Sequence, residues 1–238
     1  MRKTLSVLAA LALATPVAAQ QQAGMAGMNH DMTNMVHGSG KLVDGWQLRY
    51  DPQRGGKVPA LDAVSMTMEG PAIHFQSGPA AIYYNTKDVG NGEYQISATF
   101  TQKKSMNHEA YGLFIGGKNL QDSTQTYTYF VIKPCSKDCG TAGAQKGFVL
   151  INQRTSNGKP ATIVAERHDD AVVTDDPTDG HATNTMTIHL AKDAVHFVLN
   201  GKLVAEVPRS QLGNLDGIAG IRINHNEDLL VDWKGVSK

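Results

Sequence analysis

The sequence predicts an all-β fold, a two-sheet antiparallel sandwich, and three observations carry that prediction. From Lys41 onward apolar and polar residues alternate at period two. The alternating runs are short and are bounded by Gly, Asn, Asp or Pro. Hardly any window shows a sustained helical period. A dozen or so short strands, each with one apolar face, must bury those faces against one another, and two packed sheets achieve this.

The first 40 residues read differently. Arg2 and Lys3 precede an apolar run from Leu5 to Ala14 and small residues at Val17, Ala18 and Ala19. This is the pattern of a secretory signal peptide over residues 1–19, with cleavage expected after Ala19. No later apolar run is long enough to cross a bilayer, so the expected mature chain has no transmembrane segment and is secreted or periplasmic. Removing Arg2 and Lys3 takes two charges from 22 basic residues that face 22 acidic ones. The small negative balance left over excludes a nucleic-acid footprint and a polybasic membrane patch.

Residues 20–40 are small, polar or methionine, with Gly24, Gly27, Gly38 and Gly40 among them, and read as a flexible tail. Met25, Met28, Met32 and Met35 are spaced 3, 4 and 3 apart, as on one helix face. With His30 and His37 they offer thioether and imidazole ligands, the set that selects Cu(I). Isolated helices this short are marginal in water, so a simple tether is the plainer reading of the same stretch.

Residues 41–238 carry the strands. In "EYQISATFTQ", Tyr94, Ile96, Ala98 and Phe100 point one way and Gln95, Ser97, Thr99 and Thr101 the other. "YGLFIGG", "TYTYFVIK", "GFVLINQR" and "ATIVAE" follow at short intervals, and "TNTMTIHL" alternates Met186, Ile188 and Leu190 against Thr185, Thr187 and His189. In "AVHFVLNGKLVAEVP" the chain runs through Val195, Phe197 and Leu199, turns at Asn200-Gly201, and returns through Leu203, Ala205 and Val207. Asn-Gly between alternating apolar runs predicts a two-residue hairpin. "DGIAGIRINHNEDLLVDW" supplies two closing strands that end at Trp233.

Taken in order, "EAYGLFIGGKN", "YTYFVI", "GFVLINQR", "NTMTIHLAKDAVHFVLNGKLVAEVP" and "GIAGIRINHNEDLLVDW" resemble the concanavalin A-like jelly rolls grouped with laminin-G-like and 3-keto-disaccharide hydrolase domains. The resemblance spans about Val43 to Trp233. It implies a secreted jelly roll with a concave face, which relatives use to bind glycans or, in some cases, to cleave sugars. The cysteine loop departs from the pattern as an insertion between "YFVIK" and "GFVLI".

Conventional retaining glycosidases need two carboxylates about 5–5.5 Å apart. On one strand this would be written E-x-D-x-x-E, which the chain lacks; Glu93, Glu109 and Glu166 sit near strand ends without a second acid two positions away. Cleavage of a 3-keto sugar needs less, because the ketone acidifies the neighbouring C–H and one general base can begin elimination. His108, Glu109 and His225 are the candidates, provided their loops meet at one end of the sandwich. A glycan-binding face needs aromatic rings flanked by polar groups. Tyr127 and Tyr129 share one strand face, Tyr111 begins the preceding strand, and Asn152, Gln153 and Arg154 end the next. The competing reading places these tyrosines in the core with their hydroxyls at the rim. The insert "RHDDAVVTDDPTDGH" offers clustered carboxylates that suit Ca2+, but its spacing matches no EF-hand loop, and a solvated hairpin tip is the plainer reading.

The leading expectation is an exported, non-catalytic carbohydrate-binding protein whose partner is a glycan or oligosaccharide. No cofactor is required; Ca2+ or Cu(I) are the candidate ions. The alternatives are a hydrolase acting on glycosidic bonds of the 3-keto-disaccharide type, and a copper-binding accessory protein acting through its tail. Cys135 and Cys139, in a turn-forming loop of an exported chain, are expected to form a disulfide. Mass spectrometry of the purified protein under non-reducing conditions should show the peptide carrying both cysteines two protons lighter than its reduced form. Free alkylation of both thiols without reductant would refute the bond.

Overall fold

The computed structural model describes residues 38–52, 58–103, 109–135, 147–156, 159–176 and 178–238, all within the compact unit Met32–Lys238. The strands are β1 (Trp46–Tyr50), β2 (Val64–Glu69), β3 (Ala72–Ser77), β4 (Ala81–Gly90), β5 (Tyr94–Gln102), β6 (Tyr111–Lys118) and β7 (Thr126–Lys133). They continue as β8 (Phe148–Arg154), β9 (Thr162–His168), β10 (Ala182–Leu190), β11 (Ala194–Leu199), β12 (Lys202–Pro208), β13 (Gly217–Ile223) and β14 (Glu227–Ser237). A 3-10 turn at Leu61–Ala63 and the one-turn helix α1 (Arg209–Leu212) are the helical segments among the described residues.

Two seven-stranded sheets result. The first runs β1-β4-β13-β6-β7-β8-β9 and the second β12-β11-β10-β5-β14-β3-β2. Neighbouring strands pair antiparallel throughout. The expected all-β sandwich is thus present, and its strands follow the expected alternation. In β5, Tyr94, Ile96, Ala98 and Phe100 are buried while Gln95 is exposed. In β10, Met186, Ile188 and Leu190 are buried against exposed Thr185 and His189.

Three aromatic pairs join the sheets through the core. Phe75 of β3 meets Tyr83 of β4 at 5.1 Å between ring centroids. Phe100 of β5 meets Tyr111 of β6 at 5.1 Å, and Phe130 of β7 meets Phe197 of β11 at 5.5 Å. Contacts of this kind stabilise by about 0.5–1.5 kcal/mol each beyond the area they bury.

The Asn200-Gly201 hairpin forms as the sequence predicts, with φ of 51° and 79° at its two central residues, both in the left-handed region that this tight turn requires. The Asn200 side chain accepts from Thr185 N at 2.7 Å and donates to Ala171 O and Asn184 Oδ1, each at 2.8 Å. The return strand corrects one expectation. A register shift between Phe197 and Val198 inserts Val204 as an extra residue, so Val204 is buried and Leu203 is 52% exposed. The chain also joins the fold before Lys41. Gly40 N donates to Val64 O at 2.9 Å, and Met66 N donates to Lys41 O at 2.8 Å, so the last residues of the expected tail run along β2.

The first residue of β14, Glu227, is fully buried, and neither carboxyl oxygen has a hydrogen-bond partner among the described residues. Burial pushes its pKa well above the usual carboxyl range, and the charges of Glu109, Asp228 and Asp175 push it further, against Lys133. The folded state therefore holds a proton that the unfolded chain releases at lower pH, and stability falls as pH rises above the ordinary glutamate value. Replacing Glu227→Gln removes this pH dependence, so the stability of the variant relative to wild type should rise between pH 4 and pH 8 in denaturant titrations. A constant difference across that range would show that Glu227 titrates normally.

Candidate functional site

Alternation gives the first sheet two faces. Tyr83, Tyr111, Leu113, Phe130, Ile132, Val149, Ile151 and Ile221 point into the sandwich. The opposite face would be solvated if the sheet were amphipathic, yet Ile82, Tyr84, Phe114, Tyr127, Tyr129 and Val131 form a second buried cluster there. Register sets its rows. Gln47, Tyr84, Gly220, Phe114, Tyr129 and Asn152 lie side by side across β1, β4, β13, β6, β7 and β8. Arg49, Ile82, Arg222, Gly112, Val131 and Leu150 form the next row, and Tyr127 lies opposite Arg154. Gly220 is required where it stands: a Cβ there would lie 2.7 Å from the Phe114 ring and 2.3 Å from Tyr83 O. Its absence lets the rings of Phe114 and Tyr84 close over β13, edge to face at 6.4 Å.

Into this apolar face the chain sets a charge. Arg222, 4% exposed, donates from Nη1 and Nη2 to the two carboxylate oxygens of Asp51, both at 2.7 Å. Arg154 Nη2 reaches Asp51 Oδ2 at 3.4 Å, and the Arg222 guanidinium lies 5.6 Å from the Tyr129 ring centroid. Burial pushes the Asp51 pKa up, but the charge and hydrogen bonds of Arg222, with help from Arg154 and His225, outweigh it and hold the carboxyl below its usual range. Asp51 in turn raises Arg222, against the opposing effect of burial. Burial likewise raises the Tyr127 phenol.

Around the pair, several buried polar atoms have no hydrogen-bond partner among the described residues: Tyr127 Oη, Asn152 Oδ1, and the Nε of Arg154 and of Arg222. Asn152 Nδ2 donates to Tyr129 Oη at 3.0 Å. At the Tyr127 and Arg154 end a cleft of about 380 Å3 opens, bounded by Thr126, Gln153 and Thr155 on the sheet side and by the segment from Ser210 to Leu215 on the other. Gln153 Nε2 donates to Leu212 O at 2.8 Å and ties the two walls together.

No protein-family model and no curated protein matches this chain. Solved structures do. A carbohydrate-binding module, CBM66, from Bacillus subtilis is 12% identical, with 82% of this chain and 96% of that one covered at a TM-score of 0.52. A glycoside hydrolase family 16 endo-glucanase from Bacteroides ovatus is 11% identical, covering 84% and 97% at 0.54. The exoplasmic/lumenal domain of VIP36 in its Ca2+/Man3GlcNAc-bound form is 8% identical, covering 81% and 83% at 0.51. The fold is a concanavalin A-like jelly roll.

Within this jelly roll the expected site residues separate. Tyr127 and Tyr129 share the outer face, their rings 5.8 Å apart, and Arg154 joins them across the ladder. Tyr111 does not. It pairs with Ile132 rather than lying in step with Tyr129, so alternation turns it inward, fully buried against Phe100, where burial pushes its phenol far up. The residues flanking β6 and β13 adjoin where Asn224 N donates to Ala110 O at 2.8 Å. There Glu109 is buried and acts on Glu227, while His225 acts on Asp51. His108, Cys139 and the tail residues Met25, Met28, His30, Met32, Met35 and His37 lie outside the described residues. Cys135 is fully buried. In the aspartate-rich insert, Asp169 Oδ1 accepts from Ala171 N and Asp176 Oδ1 from Thr178 N, as turn-forming side chains do. Among the described residues, no three of His, Cys, Asp and Glu are arranged to hold a metal ion.

Sequence reasoning missed Asp51 and Arg222. Arg222 had a signal, a charge inside the apolar run "GIAGIRI"; Asp51, in "RYDPQRGG", had none. Replacing Asp51→Asn strands the buried guanidinium and should cost about 3–5 kcal/mol in denaturant unfolding, whereas the double change Asp51→Leu with Arg222→Met should recover most of that loss. Because the Asp51 pKa is lowered, its contribution is complete above the ordinary aspartate value of 3.8 and disappears as pH falls through the folded-state value. Acid unfolding of wild type should therefore be steeper below that value than that of Asp51→Asn.

Proposed function

We propose that this protein is an exported, non-catalytic carbohydrate-binding jelly roll whose glycan enters the cleft beside Tyr127 and Arg154. The observation that carries the reading is a cleft in which Tyr127 and Arg154 stand beside the polar residues Thr126, Gln153, Ser210 and Asn214. Sugars present apolar C–H faces that stack on a ring and hydroxyls that both donate and accept, so one pyranose satisfies both kinds of surface. A cleft of about 380 Å3 lies in the size range of small-ligand sites. Tyr129 packs beside Tyr127, ring centroids 5.8 Å apart, and is itself flanked by the Arg222 guanidinium. Sugar-related proteins among the structural neighbours, a carbohydrate-binding module and a Ca2+/Man3GlcNAc-bound exoplasmic/lumenal domain, support the same reading. Export and the Cys135–Cys139 bond rest on the signal-like N-terminus and the compartment it implies.

A glycan array, probed with the mature chain with and without Ca2+, tests the proposal. Where binding is found, Tyr127→Ala and Arg154→Ala should each weaken it by about 1–3 kcal/mol, while Tyr111→Phe, a change within the core, should leave it unchanged. Retained binding in folded Tyr127→Ala and Arg154→Ala variants would place the site elsewhere. Absence of binding together with turnover of a 3-keto-glycoside would favour the hydrolase reading, with Glu109 and His225 as its first targets for substitution.

A further inference from the structure

The outer face of the second sheet carries a different cluster. Register aligns Gln95 of β5, His189 of β10, His196 of β11 and Glu206 of β12 in one row across four strands. The two imidazoles face each other with ring centroids 5.5 Å apart and Nδ1 to Nδ1 at 3.4 Å. This separation is long for a hydrogen bond between ring nitrogens, since N–H donors prefer about 2.7–3.2 Å. It does match a different requirement. Two imidazole nitrogens each bound at about 2.0–2.1 Å to one tetrahedral ion stand about 3.3–3.4 Å apart. The other nitrogen of His196, Nε2, lies 3.3 Å from Glu206 Oε2. A carboxylate there fixes the ring orientation and leaves Nδ1 with its lone pair outward, the arrangement found behind metal-bound histidines.

We propose that His189 and His196 form a surface site for a divalent transition-metal ion, with Glu206 as the positioning carboxylate. Imidazole nitrogen suits Zn(II), Ni(II) and Cu(II), and the usual order of affinities puts Cu(II) above the others. Zn(II) fits the separation as it stands, because it takes tetrahedral geometry; a square-planar Cu(II) ion, with its ligands at right angles, draws the two nitrogens about 0.5 Å closer. Two protein ligands leave two positions of a tetrahedral ion open, so the site is an exchangeable one that also clamps β10 to β11. It lies on the other sheet from the proposed glycan cleft and is independent of it.

Titration of the mature protein with Zn(II) against a chromophoric chelator tests the site, with His189→Thr/His196→Thr as the comparison. Both proteins keep His30 and His37, so any ion the tail holds cancels. Wild type should bind one more equivalent than the variant, at least ten-fold more tightly than any site the variant retains. Glu206→Gln should weaken that equivalent by about ten-fold. Cu(II) electron paramagnetic resonance should show coupling to two imidazole nitrogens, falling to one in His196→Asn; this single change keeps the test available if the double variant is poorly folded. Equal stoichiometry and affinity in wild type and the histidine variants would overturn the proposal and leave the pair as an ordinary cross-strand contact.

Discussion

A guanidinium buried in the middle of a sheet must have its counter-charge delivered to it, and in this molecule that requirement organises the first sheet. Arg222 sits in β13, between β4 and β6, and its partner Asp51 comes from the chain just beyond the edge strand β1. Asp51 is itself anchored by its backbone N–H to Ala80 O at 2.8 Å. The bidentate contact therefore holds the end of an edge strand over the centre of the sheet's outer face. The aromatic cluster of Tyr84, Phe114, Tyr127 and Tyr129 is built around that constraint. Isolated charges are costly to bury and are tolerated when paired with good geometry, so neither Arg222 nor Asp51 can be considered without the other.

The sandwich itself was legible because period-two alternation is a local property. β5 and β10 show it residue by residue, and the Asn200-Gly201 turn is specified by two adjacent positions. The errors share a cause, which is that relative register is not local. Tyr111, Tyr127 and Tyr129 look alike in sequence, but a pairing of Tyr111 with Ile132 sends Tyr111 to the core. Leu203 and Val204 exchange places because one bulge, between Phe197 and Val198, resets the alternation. Asp51 and Arg222 are 171 positions apart, and nothing near either residue announces the other. His189 reads as a polar position of its strand, but its meeting with His196 depends on the hairpin register that joins β10 to β11.

The two sheets use their outer faces in opposite ways. On the first, apolar residues and a buried ion pair make a second core. On the second, side chains hydrogen-bond to their neighbours across the ladder. Ser97 meets Thr187 at 2.9 Å, Thr99 meets Thr185 at 2.9 Å, and Thr183 donates to Thr101 at 3.3 Å. Such pairs each add a few tenths of a kcal/mol up to about 1 kcal/mol and leave the face polar. His189 and His196 extend that ladder by one row, which is why two ionisable rings can stand together there without being drawn into the interior.

The strand order also sets the tempo at which this molecule comes into being. β13 completes the first sheet by entering between β4 and β6, and β14 completes the second by entering between β5 and β3. Both keystones are made after the strands they join. Until they emerge, each sheet is split into two ribbons whose inner edges are unpaired, and the nascent chain has nowhere to bury Phe75, Tyr83 or Phe100 fully. Long-range pairing of this kind slows folding and leaves open edges exposed while it proceeds, so these edges stay exposed until β13 and β14 arrive.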